Sequence, residues 1–190
     1  MNKSKFAALL VSIAGFAVAA PAAAQSFYFG GSIGNQEMME DACSGAQSGC
    51  DRSDTTWTGN VGFMFTPNWG VELAYRDFGR VVEQRNQDGT SAEWKTKSGE
   101  VVVVGALPIN KLTIYGKFGG YYAKTRLTSD YLANADNSNR QWTGGIGVAY
   151  DLFRHLRIRG EWQRYNNLGG PDIGIRSDVN VVSGGVVFVF

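Results

Sequence analysis

Seven charged residues stand where they could share one enclosed space: Glu72, Arg76, Glu100, Lys117, Arg157, Arg159 and Glu161. Each falls on the polar side of a segment whose alternate residues are apolar or aromatic. Unpaired charge in a narrow low-dielectric interior is costly, so mixed signs on one face argue for a mutually paired network; a path for ions or water is the alternative. Other reactive groups are few. His155, the single histidine, could serve a lipid-modifying site only with a Ser or Asp partner near the outer leaflet. It sits in the short segment 151–155 and reads as a solvated turn residue. Cys43 and Cys50 lie in a polar stretch, 41–54. In an exported chain they read as a disulfide, which would clip a short loop and contribute about 2–3 kcal/mol on the loop-entropy model. A metal pair is the alternative, with neither His nor CxxC spacing to support it. Gly144-Gly145-Ile146-Gly147 looks loosely like a nucleotide loop but lacks the Lys-Ser/Thr that would follow, and small residues in a tight sheet explain it. Ala135-Asp136-Asn137-Ser138-Asn139 offers oxygen ligands without calcium-loop spacing. No catalytic set, cofactor or metal site is read from the sequence.

The elements that must position these groups are strands. Residues 179–190 alternate strictly: Asn180, Val182, Gly184, Val186, Phe188 and Phe190 share one face, Val179, Val181, Ser183, Gly185, Val187 and Val189 the other, the period-2 spacing of a β-strand. A strand at the end of the chain has a free edge. In lipid that edge would leave backbone groups unsatisfied at several kcal/mol each, so pairing with the first strand would close a barrel.

Seven earlier segments show the same alternation. Phe27, Phe29 and Ile33 oppose Tyr28, Gly30 and Ser32; Trp57, Val61, Phe63 and Phe65 oppose Thr58, Asn60 and Met64; Val71, Leu73 and Tyr75 oppose Glu72, Ala74 and Arg76. The valine run of the fourth segment blurs its pattern, but parity puts Val101, Val103, Gly105 and Leu107 outward and Glu100, Val102, Val104 and Ala106 inward. Leu112, Ile114, Phe118 and Tyr122 oppose Thr113, Tyr115, Lys117 and Tyr121; Trp142, Ile146, Val148 and Tyr150 oppose Thr143, Gly145, Gly147 and Ala149; Leu156, Ile158 and Trp162 oppose Arg157, Arg159, Glu161 and Gln163. Tight turns are expected at 66–69, 108–111 and 151–155, and long polar stretches at 41–54, 77–91, 125–140 and 166–177. Long and short connections alternating between about eight antiparallel strands put every long loop at one end, the asymmetry of a transmembrane β-barrel. The charges share the face opposite the aromatics, inverting the pattern of a soluble lipocalin-type barrel. Trp57, Tyr122 and Trp142 are expected near the outer edge, and Phe65, Trp69, Tyr150 and Phe190 near the inner, as two interfacial belts; ordinary core residues are the alternative.

Residues 1–24 read as a signal peptide: a basic start with Lys3 and Lys5, an apolar run 6–20, and cleavage after Ala24. An uncleaved anchor is the alternative. Losing Lys3 and Lys5 takes the 18 basic and 17 acidic residues from a net charge of +1 to about −1, a balance that does not suggest nucleic acid. The remainder, 25–190, has the length of one domain and no further apolar run of transmembrane-helix length. The 25 Gly and 13% aromatics of the whole chain suit strands that are apolar on one side only.

Trp69-Gly-Val-Glu-Leu-Ala-Tyr-Arg, Leu112-Thr-Ile-Tyr-Gly-Lys-Phe-Gly-Gly120 and Arg159-Gly-Glu-Trp162 followed by Asn166-Asn167 resemble the transmembrane domain of the OmpA family. The closing Val187-Phe-Val-Phe190 looks like that family's terminal assembly signal, carried by Phe188 and Phe190. With no peptidoglycan-binding domain after Phe190, the chain is more similar to barrel-only, porin-like relatives of the OmpX kind. The resemblance implies an all-β, eight-stranded antiparallel up-and-down transmembrane β-barrel in the outer membrane of a Gram-negative cell, monomeric and non-enzymatic. Its implied partners are outer-membrane lipid and lipopolysaccharide, the barrel assembly machinery, and a host or cell-surface ligand reached through the loops. In that family the glutamate and arginine matching Glu72 and Arg159 form a lumenal gate in which the glutamate can switch to a lysine. Val104 stands at the lysine position and Ala149 replaces a further glutamate; these departures tell against a switchable gate, and the paired charges read as a plug that rigidifies the barrel, with an ion or water pathway as the alternative.

Overall fold

The computed structural model describes residues 26–39, 50–51, 53–85, 91–129, 135–170 and 175–190. The strands are β1 (Ser26–Met38), β2 (Cys50–Asp51), β3 (Ser53–Met64), β4 (Trp69–Arg85), β5 (Ser91–Ile109), β6 (Leu112–Ser129), β7 (Ala135–Asp151), β8 (Leu156–Gly170) and β9 (Ile175–Val189). Apart from the two-residue β2, which pairs with Glu83 and Gln84 of β4, each strand pairs antiparallel with its neighbours in the order β4-β3-β1-β9-β8-β7-β6-β5, and β4 returns to β5. The sheet is thus a closed eight-stranded up-and-down barrel. Its seam is the expected one: β1 lies against β9 from Tyr28↔Val189 to Met38↔Val179, so neither strand leaves an open edge.

The alternation of the sequence reappears as alternation of exposure. On β5, Val101, Val103 and Leu107 are exposed and Glu100, Val102, Val104 and Ala106 buried, so the valine run resolves into two faces. Outward rings gather at the two rims. Trp57 packs on Tyr75 at 5.7 Å and Phe118 on Trp142 at 6.1 Å towards one end; Phe29 stacks on Phe188 at 5.5 Å and on Phe190 at 5.8 Å at the other. On β6 the outward apolar run from Leu112 to Tyr122 covers ten residue steps. At about 3.3 Å per step and a tilt of about 40–45° it spans roughly 24 Å, close to the apolar band of a membrane barrel.

The turns lie where the sequence puts them. At Phe65–Asn68 the Thr66 hydroxyl accepts from the amides of Asn68 and Trp69 at 3.2 and 3.0 Å. At the second turn Asn110 takes φ 56°, which Asn tolerates. The long connections differ from expectation. Much of 77–91, 125–140 and 166–177 is strand: β4 runs to Arg85, β6 to Ser129, and β8 to Gly170. Strands of 17 to 19 residues in β4 to β7 far exceed the ten or so a bilayer crossing needs, so paired hairpins stand out beyond the outer ring of aromatics. Hairpin backbones satisfy their own hydrogen bonds, and above the membrane both faces meet water, so no apolar alternation marks them. Cys43 and residues 1–25 lie outside the described residues.

Candidate functional site

The lumen is filled in layers. Nearest the tight turns is a vestibule of about 240 Å³ walled by Tyr28, Val104, Ala106, Tyr115 and Ala149, with Glu72, Lys117 and Arg159 as its floor. Behind the floor Lys117 Nζ lies 2.7 Å from Glu72 and 2.6 Å from Glu161, while Arg159 lies 2.9 Å from Glu72 and 3.8 Å from Glu161. Neutral donors complete the carboxylates: Tyr28 and Asn60 donate to Glu72 at 2.9 and 3.1 Å, and Tyr115 donates to Glu161 at 3.0 Å.

The next layer is built on Arg76. Its guanidinium meets Glu100 at 3.4 Å and Glu161 at 3.8 Å, and donates to Gln163 at 3.1 Å. Gln163 passes the contact on, donating to Glu100 at 2.8 Å and to Thr143 at 3.0 Å. Tyr165 donates to Glu100 as well. Above this layer the filling mixes aromatic rings with small polar side chains, among them Thr96 and Thr125, whose hydroxyls lie 2.8 Å apart. Phe78 and Tyr121 meet the Tyr165 ring edge-on at 4.9 and 5.3 Å, and Arg76 lies 5.4 Å from the same ring, within cation–π range. Met38, Phe78, Tyr165, Leu168 and Val179 are each at most 2% exposed, so this end of the lumen is packed shut.

Three carboxylates, Glu72, Glu100 and Glu161, therefore face three cations, Arg76, Lys117 and Arg159, and all six side chains are at most 7% exposed. The lattice is neutral as a unit, which is how charge is tolerated in a space without bulk water.

Of the seven residues expected to share the lumen, Arg157 does not join them. It sits half-exposed at the vestibule mouth and pairs with Asp151 at 2.5 Å. Arg157 is nearest the turn on β8, where solvent reaches it, and Asp151 is its register partner on β7. Val104 and Ala149 wall the vestibule; the register partner of Val104 is Lys117, and that of Ala149 is Arg159. Glu72 contacts Lys117 and Arg159 at the same time, so the arrangement holds both cations rather than one in reserve.

Several partners were not singled out in the sequence. Tyr28, Asn60, Tyr115 and Gln163 sit on the inward parity, but an uncharged polar side chain carries no signal of its own. Phe78 and Tyr165 also keep inward parity, beyond the points where the strands appeared to stop. Leu168 is different: a register shift between Tyr165 and Leu168, with Asn167 at φ 52°, turns an outward-parity residue into the lumen.

His155 lies exposed in the turn, its Nδ1 2.9 Å from the Val189 carbonyl oxygen. Gly144 to Gly147 lie in β7, where Gly145 and Gly147 leave room for Gln163 and Tyr115. Ala135 to Asn139 are strand too. Phe188 stacks outward on Phe29, and Phe190 donates its amide to the Phe27 carbonyl at 2.9 Å.

An apolar outer wall, two aromatic rims, a closed hydrogen-bonded seam and a charged, packed lumen define an integral membrane β-barrel. The chain belongs to the outer membrane protein beta-barrel domain family, whose model matches residues 6–190. A search of curated proteins finds no match. The fold is similar to that of solved outer-membrane barrels. The attachment invasion locus protein Ail of Yersinia pestis, crystallised with the heparin analogue sucrose octasulfate, is 17% identical with TM-score 0.60, over 88% of this chain and 99% of that one. The N-terminal β-barrel domain of Pseudomonas aeruginosa OprF is 10% identical with TM-score 0.56, over 87% and 97%. OprG of the same organism is 18% identical with TM-score 0.52, over 88% and 96%.

Proposed function

We propose that the protein is a structural, surface-exposed barrel of the outer membrane, non-enzymatic, whose lumen is a rigid plug and whose work is done by its outer wall and its projecting hairpins. The observation that carries this reading is the filling of the lumen: the vestibule ends at Glu72, Lys117 and Arg159, and the far end is packed by Phe78, Tyr165 and Leu168. Ions crossing it would have to part the buried lattice and displace the aromatic packing together. In this reading residues 1–24 are the cleaved export signal, the hairpins face the exterior, Cys43 and Cys50 form a disulfide, the barrel works as a monomer, and Phe188 and Phe190 address the chain to the assembly machinery.

Planar-bilayer recording on purified protein tests the plug, and the expected result is no stable conductance. A stable conductance that disappears in Glu72→Ala would assign the lattice to ion passage instead. Unchanged acylation of lipid A in overexpressing cells is expected of a non-enzyme.

A further inference from the structure

The lumen is packed at one end and hollow at the other. At the tight-turn end the inward positions Ala106 and Ala149 are small, and the vestibule of about 240 Å³ stands over them. Protein interiors are otherwise close-packed. A plug that served stability alone would be filled here, as it is around Phe78 and Tyr165.

The floor of this hollow is not balanced as the whole lattice is. Of the six lattice charges, Glu72, Lys117 and Arg159 line the space and Glu100, Glu161 and Arg76 do not, while Arg157 adds a cation at the mouth. Asp151 offsets part of the Arg157 charge from outside the hollow. Glu72 is saturated: Tyr28, Asn60, Lys117 and Arg159 all donate to it, about as many bonds as a carboxylate accepts. Arg159 is not. Its Nη1 donates to Glu72 at 2.9 Å, but its Nη2 lies 3.8 Å from Glu161, beyond hydrogen-bond reach. A guanidinium carries several donors in a planar fork, and this one keeps 7% exposure where Arg76 keeps 2%. The floor thus offers unused donors and a filled carboxylate, beneath apolar walls of Val104, Ala106, Ala149 and Val187.

Each class of occupant meets these features differently. A cation is repelled by the floor, a neutral apolar molecule leaves the Arg159 donors unbonded, and an inorganic anion leaves the walls wet. A carboxylate on a short apolar tail meets both. At about 30 Å³ for each water-sized group, the hollow takes about eight non-hydrogen atoms, the size of a six-carbon acid. We infer that the vestibule binds a short apolar monocarboxylate, its oxygens on Arg159 and its tail against Val104, Ala106 and Ala149. Arginine–carboxylate bonds are charge-assisted and can form in parallel pairs. The inference rests on the reading of the lumen as a plug: with the lattice closed behind it, the acid enters and leaves by the mouth between the tight turns.

The test uses the full chain in lipid nanodiscs, with the backbone amide NMR signals of Val104 and Ala149 followed as hexanoate is added. Site-resolved signals separate binding in the lumen from partition into the bilayer. Hexanoate is expected to give a saturable shift. It should bind at least tenfold tighter than acetate, which lacks the tail, 1-hexanol, which lacks the charge, or hexylammonium, which reverses it. Arg159→Gln should weaken hexanoate tenfold or more. Because that change also disturbs the lattice, Ala149→Leu is measured beside it: the larger side chain fills the hollow, leaves every lattice charge in place, and should abolish the saturable shift at Val104. Lys97→Gln, at the hairpin end beside Asp77, should leave binding unchanged. Gel mobility without boiling checks that each variant closes, since a closed barrel shifts on heating; if Arg159→Gln does not close, Ala149→Leu decides. Equal affinity for hexanoate and hexanol, parental binding by Ala149→Leu, or no saturable shift in the parent, which would leave water as the occupant, overturns the inference. Inorganic phosphate competing at hexanoate's own affinity overturns it in favour of a simple anion site. Planar-bilayer recording separates the site from the plug. A stable conductance sinks the plug and the closed site with it, whereas a silent bilayer without saturable binding sinks the vestibule site alone.

Discussion

Tyr115 lies across the bare Cα of Gly147, its register partner on the neighbouring strand, and from there its hydroxyl reaches Glu161 at 3.0 Å. Tyr28 repeats the relationship, lying over its partner Gly62 and donating to Glu72 at 2.9 Å. Each glycine thus lets a tyrosine fold down flat and complete a buried carboxylate.

Gly62→Ala, whose three nearest contacts would all be atoms of Tyr28, is expected to push that ring away and to cost about 1–3 kcal/mol, the usual range for overpacking. Equilibrium urea unfolding in lipid vesicles, followed by tryptophan fluorescence, measures it. Because the Cβ and the ring contend for one space, the loss should be less than additive in a cycle with Tyr28→Ala. Additive losses would mean that the ring does not lie over the glycine.

Gly185, at the seam, makes a contrast. A Cβ there would run into the backbone oxygen of Gly31 and the Cα of Ser32, and backbone cannot rotate aside as a ring can. Gly185→Val should therefore prevent closure between β1 and β9 and abolish the heat-dependent gel shift. A variant that keeps the shift would place the seam elsewhere.

The faces and the seam were legible in the sequence because each spanning residue meets one of two unlike surroundings every second position. Glu72 and Arg159, far apart in the chain, share the inward parity, and they lie 2.9 Å apart. Strand ends were not legible. Tyr165 and Phe78 lie where lipid no longer enforces alternation, and Leu168 enters the lumen through a bulge that parity cannot foresee. Arg157 carried the right parity, but its depth, one step from a solvated turn, decided its partner.

Lys117 contacts both Glu72 and Glu161. Lys117→Met leaves Glu72 to Arg159 and Glu161 to the longer contacts of Arg159 and Arg76, both 3.8 Å, and a cost of about 3–5 kcal/mol is expected, as for removal of one partner from other buried ion pairs. Adding Glu161→Gln restores the balance of charge and should recover much of that loss. Unfolding midpoints of the single and double variants in the same vesicles decide; a double variant weaker than the sum of its parts would contradict a lattice held together by neutrality.

Ile146 is 64% exposed near the middle of the outward apolar run. Ile146→Arg should cost about 2–4 kcal/mol in a bilayer. The same change on a water-facing wall would fall within about 0.5 kcal/mol, so vesicle unfolding separates the two surroundings directly.

The three-against-three composition of the lattice has an electrical consequence. A potential across a membrane does work on net charge that moves, about 2.3 kcal/mol per elementary charge per 100 mV. An interlocked cluster that sums to zero gives the field no lever, so the closure of this lumen is indifferent to voltage, and only a substitution that leaves a surplus would make it respond.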